Sequence, residues 1–271
     1  MAYSHSAQNP VVKQRVIITN KHGEKLVGLL HETESKEVVV LCHGLKSSKD
    51  DNILVNLAAA LEKEGISAFR FDFAANGESE GSSSELRDLY READDIRAVV
   101  QHFFSENRVV RAIIGHSKGA SLVLLYASKY QDIGIIVNVS GRYNLQRGIA
   151  EGLGADFMEK IKEDGYIDVK NKKGSVEFRV TEEVLMNTLR TDMCEACRKI
   201  SKECRVLIVH GSADTVIPVE DALGFAKSIS NHQLQIIEGA DHVYTSHQTE
   251  LASAVVKFIK PGLKRDKVAR L

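Results

Sequence analysis

A mostly parallel α/β sheet with helices on both faces is the fold the sequence predicts. Three observations carry it. The chain has 271 residues, enough for one large α/β domain. Short apolar runs alternate with helical patterns along most of it, as expected of strands joined by crossover helices. And Val38-Val39-Val40-Leu41-Cys42 is apolar without a break, the mark of a strand buried on both faces.

The elements follow in order. Val11 to Ile18 and Lys25 to His31 flank the turn Asn20-Lys21-His22-Gly23 and read as an antiparallel hairpin. After the strand ending at Cys42, residues Ile53, Leu54, Leu57, Ala58 and Leu61 recur at helical spacing. Gly65 punctuates the chain before the strand Ile66 to Phe73. Leu86, Leu89, Ala93, Ile96, Val100 and Phe103 mark a long amphipathic helix. Strand Val109 to Ile114, helix Ala120 to Ser128 and strand Ile133 to Val139 come next. The rhythm resumes with strand Arg205 to Val209, helix Glu220 to Ile229, strand Gln233 to Ile237 and a closing helix Val243 to Ile259. Pro261-Gly262 then opens a basic tail.

Between Gly141 and Ser201 the alternation breaks for too long to be a plain loop. Phe157, Met158 and Ile161 suit a helix; Ile167/Val169 and Val176/Phe178/Val180 read as a hairpin around Asn171-Lys172-Lys173-Gly174. Thr181 caps a further helix with Glu182 and Glu183 in its first turn. The expectation is a core domain of residues 1–140 and 201–271, with residues 141–200 inserted as a lid over the strand ends. Phe157, Met158, Tyr166, Phe178, Met186 and Leu189 are its candidate substrate-facing side chains.

Lys and Arg number 36 and Asp and Glu 37, a formal charge of −1, with no basic footprint for nucleic acid. No apolar stretch is long enough to span a membrane. The opening MAYSHSAQNP lacks the basic start and apolar run of a secretory signal, so the four cysteines read as reduced thiols. Cys194-x-x-Cys197 and Cys204 have no histidine at finger spacing, so the sequence points to no metal and to no cofactor.

The sharpest signal is Gly115-His116-Ser117-Lys118-Gly119 between a strand and a helix. A sharp turn there presents the Ser117 hydroxyl from a strained backbone, and the glycines relieve crowding between the two elements. A serine hydroxyl needs a base. In this pattern acid and histidine follow at later strand ends, which supply Asp214 in His210-Gly211-Ser212-Ala213-Asp214 and His242 in Glu238-Gly239-Ala240-Asp241-His242. His242 would take the Ser117 proton and Asp214 would orient its ring. His43, His116 and His210 are rival strand-end histidines, and Asp72 and Asp241 rival acids. His210 reads as a buried structural residue and Asp72 as loop packing. An oxyanion needs preorganised donors. Lys118 N–H is one and Leu45 N–H, after His43-Gly44, the second. The Lys118 side chain is either solvated or turned toward an acidic substrate.

These stations, with Phe71-Asp72-Phe73 and Asn76-Gly77-Glu78-Ser79, resemble the α/β-hydrolase superfamily over nearly the whole chain. Within it the sequence is similar to feruloyl (cinnamoyl) esterase-like serine hydrolases of bacteria and their plant relatives. The resemblance implies a largely parallel eight-stranded sheet, an inserted lid, a triad on Ser117, Asp214 and His242, and an oxyanion pair on Leu45 and Lys118. It implies a small or medium carboxylic ester as substrate, hydroxycinnamoyl esters included. Thioester hydrolysis, acyl transfer, carbon–carbon bond hydrolysis and a ligand-receptor role on the same fold stay open, because fold does not fix reaction. The expected protein is a monomer or homodimer of the cytoplasm. The alternative is the peroxisome, through Ala269-Arg270-Leu271.

Overall fold

The apolar runs pair side by side into one eight-stranded sheet; the computed structural model describes residues 12–82 and 85–268. β1 (Val12–Thr19) and β2 (Lys25–Glu32) form the opening hairpin. β3 (Glu37–Cys42), α1 (Asn52–Lys63), β4 (Ser67–Phe71), α2 (Leu89–Ser105), β5 (Val109–His116), α3 (Lys118–Tyr130) and β6 (Ile135–Val139) follow. The inserted region holds α4 (Ile149–Leu153), α5 (Phe157–Asp164), β7 (Tyr166–Lys170), β8 (Val176–Thr181), α6 (Glu182–Arg190) and α7 (Met193–Arg198). β9 (Arg205–Gly211), α8 (Glu220–Ser228), β10 (His232–Ile237) and α9 (Gln248–Val268) complete the chain.

The sheet order is β1-β2-β4-β3-β5-β6-β9-β10. The pairs β1–β2 and β2–β4 are antiparallel, and every pair from β4 to β10 is parallel. β3 is apolar without alternation from Val38 to Cys42, and every residue of β4 is buried, because both faces are covered. On β5, Ile113 enters one core layer while Ala112 and Ile114 enter the other, as the two-residue period of a strand requires. The first layer takes side chains of α2, α3, α7 and α8, and the second those of α1 and α9. Six parallel strands therefore send their carboxyl ends to one edge, where ligands bind in open α/β sheets. Asp51, Asp88 and Thr181 cap α1, α2 and α6 with side-chain oxygens.

The structure departs from the sequence reading in three places. α4 carries too little apolar periodicity to be seen, since Gly148 and Gly154 bracket it and Gly152 lies inside. α7 joins the main core through Met193, Ala196 and Cys197, so the separately packed part of the insertion ends before it. The last helix begins at Gln248 and continues through Pro261. Buried Leu263 anchors it there, and Gly262 lies where a Cβ would meet Ile135 Cδ1 at 2.5 Å. No helix among the described residues is long and apolar enough to cross a membrane. Ala269-Arg270-Leu271 lies outside the described residues.

The inserted region has its own small core of Ile161, Ile167, Val180 and Leu185, with Phe157 and Leu189 against it. Ile161 is fully buried there. Ile161→Ala is expected to destabilise this unit by about 2–4 kcal/mol. Hydrogen exchange should then quicken across residues 149–190 while the amides of β3, β5 and β6 keep their protection.

Candidate active site

β5 runs into α3 with a single residue between them, Ser117, at φ 56° and ψ −119°. That backbone conformation is rare for a residue with a side chain. It persists because its surroundings leave no alternative. A Cβ on Gly115 would stand 2.2 Å from Gly119 O, and one on Gly119 would stand 2.4 Å from Cys42 O. Ser117 N–H donates to Val139 O of β6 at 2.9 Å. The chain turns where strand, helix and the end of β3 touch backbone to backbone.

Asp214 and His242 arrive from the loops after β9 and β10. Those loops also touch closely: a Cβ on Gly211 would lie 2.2 Å from Ala240 O, and Ala213 N–H donates to Ala240 O at 3.0 Å. The result is a continuous chain of hydrogen bonds. His242 Nδ1 stands 2.7 Å from Asp214 Oδ2 and His242 Nε2 stands 3.0 Å from Ser117 Oγ. An ionised carboxylate only accepts, so Nδ1–H donates to it and the Nε2 lone pair faces the Ser117 hydroxyl. Such a relay can move the hydroxyl proton to the ring as an alkoxide forms.

The Asp214 side chain is fully buried. Burial by itself would raise its carboxyl. Hydrogen bonds from His210 and His242 and from the Ile217 amide outweigh burial and hold it well below the usual carboxylate range. Asp214 Oδ1 accepts Val216 N–H at 2.9 Å and Ile217 N–H at 2.8 Å.

The rival histidines brace the site. His210 Nε2 stands 2.8 Å from Ile217 O and 3.3 Å from Asp214 Oδ2, inside the acid loop. His116 Nε2–H donates to the His242 carbonyl at 2.9 Å, and burial pushes the His116 ring down to about 4, so it stays neutral. His43 Nδ1–H donates to Gly44 O at 2.8 Å while Nε2 accepts Phe73 N–H at 3.1 Å. Because a peptide is planar and trans, fixing the Gly44 carbonyl also fixes the opposed Leu45 N–H. Asp72 accepts Lys49 N–H at 2.6 Å, Lys49 Nζ at 2.8 Å and Glu78 N–H at 2.9 Å, all in loop packing. Asp241 accepts from Thr245 in the turn after His242.

Residues 33–248 match the family described as serine aminopeptidase, S33. The chain belongs to this family. Its fold is that of the α/β hydrolases. Est1E of Butyrivibrio proteoclasticus, solved with ferulic acid bound, superimposes with a TM-score of 0.80 at 24% identity, over 92% of this chain and 99% of that one. The Pyrococcus furiosus esterase Pf2001 gives 0.69 at 23% identity, over 93% and 90%. By sequence, the chain is 23% identical to the lysophosphatidylserine lipase ABHD12 of Danio rerio over 83% of its own length. It is 28% identical to a monoacylglycerol lipase of Mycolicibacterium smegmatis over 36% of its length. The matched stretches span 59% and 35% of those two proteins.

In this S33 family member a cavity of about 540 Å³ opens at Ser117 and His242, and Leu45 and Lys118 line it too. Of the six expected insertion side chains only Phe178 reaches it. Phe157 and Leu189 pack around the insertion's own core. Tyr166 is exposed, with the Arg179 guanidinium 3.6 Å over its ring. Met158 and Met186 are half-buried away from the cavity. Residues of this segment that line the cavity but were missed include Arg142, Leu145, Ile149, Leu153, Val180 and Leu185. Val180 shares a strand face with Phe178, a signal that alternation carried. The Lys118 ammonium is neither solvated nor turned to substrate: it pairs with buried Glu92 of α2. Burial raises the Glu92 carboxyl, and Lys118 opposes that rise.

Asp214 yields a pH prediction. Its folded carboxyl ionises below its unfolded value, so its contribution is complete above about pH 4 and is lost as pH falls through the folded value. The gap in urea-unfolding free energy between wild type and Asp214→Ala is expected to narrow as pH falls below 4.

Proposed function

We propose that the chain is a serine esterase that cleaves carboxylic esters of small or medium size. The observation that carries this reading is the unbroken relay from Ser117 Oγ through His242 to Asp214 at the mouth of a cavity. Ser117 Oγ attacks the ester carbonyl as His242 Nε2 takes its proton. The oxyanion is held by Lys118 N–H, which begins α3 and has no helical acceptor, and by the Leu45 N–H aimed by His43. Such donors contribute about 3 kcal/mol each to the transition state. The alkoxide leaves with the proton from His242, and water then hydrolyses the acyl-enzyme by the reverse relay.

Residues between β6 and α7 act as a lid whose Leu153, Phe178, Val180 and Leu185 form an apolar wall for the acyl group. That wall suits an aromatic acid, and the ferulic acid in Est1E supports placing hydroxycinnamoyl esters within range. The lipase names of the sequence relatives support ester rather than peptide substrates.

The test is labelling by a fluorophosphonate followed by peptide mapping. Wild type is expected to label on Ser117 and Ser117→Ala to stay unlabelled; equal labelling of both would sink the reading. Asp214→Asn is expected to lower kcat on 4-nitrophenyl pentanoate by about 10⁴, because the ring then presents the wrong tautomer.

A further inference from the structure

The charges around the cavity are one-sided. Arg87, Lys118, Arg142 and Arg147 line it, and no Asp or Glu does among the described residues. Composition does not produce this, since acids and bases are nearly equal in the chain. Three of these cations have a carboxylate of their own: Arg87 pairs with Glu24, Lys118 with Glu92, and Arg147 with Asp221 at 2.7 Å. Arg142 is different. Its Nη1 donates to Arg147 O at 3.2 Å and its Nη2 to Val216 O at 3.0 Å, and none of the ion pairs formed by the described residues includes it.

Two neutral carbonyls orient a guanidinium without cancelling its charge, and they occupy only part of its donor set. The Arg142 backbone is also held close to the relay. Arg142 N–H donates to Ser121 Oγ at 3.2 Å and Arg142 O accepts from it at 3.1 Å, one helical turn beyond Ser117. Val216, the other anchor, donates to Asp214 Oδ1. The side chain is thus a carbonyl-anchored positive charge on a cavity wall that holds no carboxylate among the described residues, where a planar fork matches an oxyanion.

We infer that Arg142 recognises an anionic group of the substrate. The favoured ester then carries a carboxylate or phosphate, on its acyl or its alcohol part, that meets this guanidinium while the carbonyl lies at Ser117. The inference rests on the esterase reading above and narrows it to acidic esters.

The experiment uses two matched pairs. One is 4-nitrophenyl hemiglutarate against 4-nitrophenyl pentanoate, with a carboxylate on the acyl part. The other is 1-butyrylglycerol 3-phosphate against 1-butyrylglycerol, with a phosphate on the alcohol part. The readout is the ratio of kcat/KM, anionic over neutral, in wild type, Arg142→Gln and Arg142→Lys. Wild type is expected to favour the anionic member of one pair by about tenfold, and the pair that responds identifies the anion and its side. Arg142→Gln should erase that preference and Arg142→Lys should retain part of it. Added NaCl should shrink the ratio in wild type. A wild-type ratio near one in both pairs overturns the inference. So does an Arg142→Gln protein slower on both members with its ratio unchanged, since the side chain then only clasps two loops. Turnover that depends on Ser117 but ignores the anion defeats this inference and leaves the esterase reading standing; absence of such turnover on all four esters defeats both.

Discussion

Backbone crowding at the carboxyl edge of the sheet is the constraint on which the rest depends. Gly115 meets Gly119, Gly119 meets the end of β3, and Gly211 meets Ala240, each at a separation that excludes a Cβ. Gly44 adds a softer case, where a Cβ would stand 3.2 Å from Ser117 Cβ. These approaches bring the ends of β3, β5, β9 and β10 together before any side chain acts. They explain how Ser117 is kept at a positive φ and how residues distant in sequence come within hydrogen-bond reach. The strain at Ser117 is sustained by contacts around it that side chains cannot loosen.

Buried imidazoles organise this edge. His43, His116 and His210 are all buried at strand ends, and each places a ring nitrogen against a backbone carbonyl of a loop at this edge. Burial lowers the basicity of His43 and His116, so they add no positive charge. His242 is less buried than these and faces Asp214, the carboxylate most heavily donated to at this edge. The four imidazoles differ in task because their surroundings differ: three hold peptide planes, and one is left with a lone pair facing a hydroxyl.

Much of this was legible in the sequence. The apolar runs located every strand of the large sheet, because β3 to β6 are largely buried on both faces and are rich in Val, Ile, Leu and Phe. The Gly-flanked Ser117 and the strand-end Asp214 and His242 were visible because local turns carry them. What was not legible depended on which face a short element presents. In the insertion, α5 turns Phe157 and Ile161 inward upon its own core rather than toward Ser117, and no periodicity distinguishes the two apolar neighbours. Lys118 was misread for a related reason. Its partner Glu92 lies on a different helix, and pairing across elements leaves no trace in local spacing. Arg142 stands where the alternation breaks, so nothing marked it.

The cavity divides its work among parts of the chain with different rigidity. The end that holds Ser117 and His242 is built from backbone and strand-end loops of the central sheet. The apolar wall comes from the insertion, whose core is small and whose strands β7 and β8 form a two-stranded sheet of their own. The two parts are joined by few but specific contacts. Lys46, next to Leu45, reaches Glu177 at 2.8 Å and lies 3.9 Å over the Phe178 ring; Leu86 N–H donates to Arg179 O at 2.7 Å. A shift of β8 would therefore be felt at the loop that carries Leu45 as well as in the cavity wall. The shape of the cavity can vary with the insertion while the relay beneath it stays fixed, and the loop after β3 is where the two are mechanically linked.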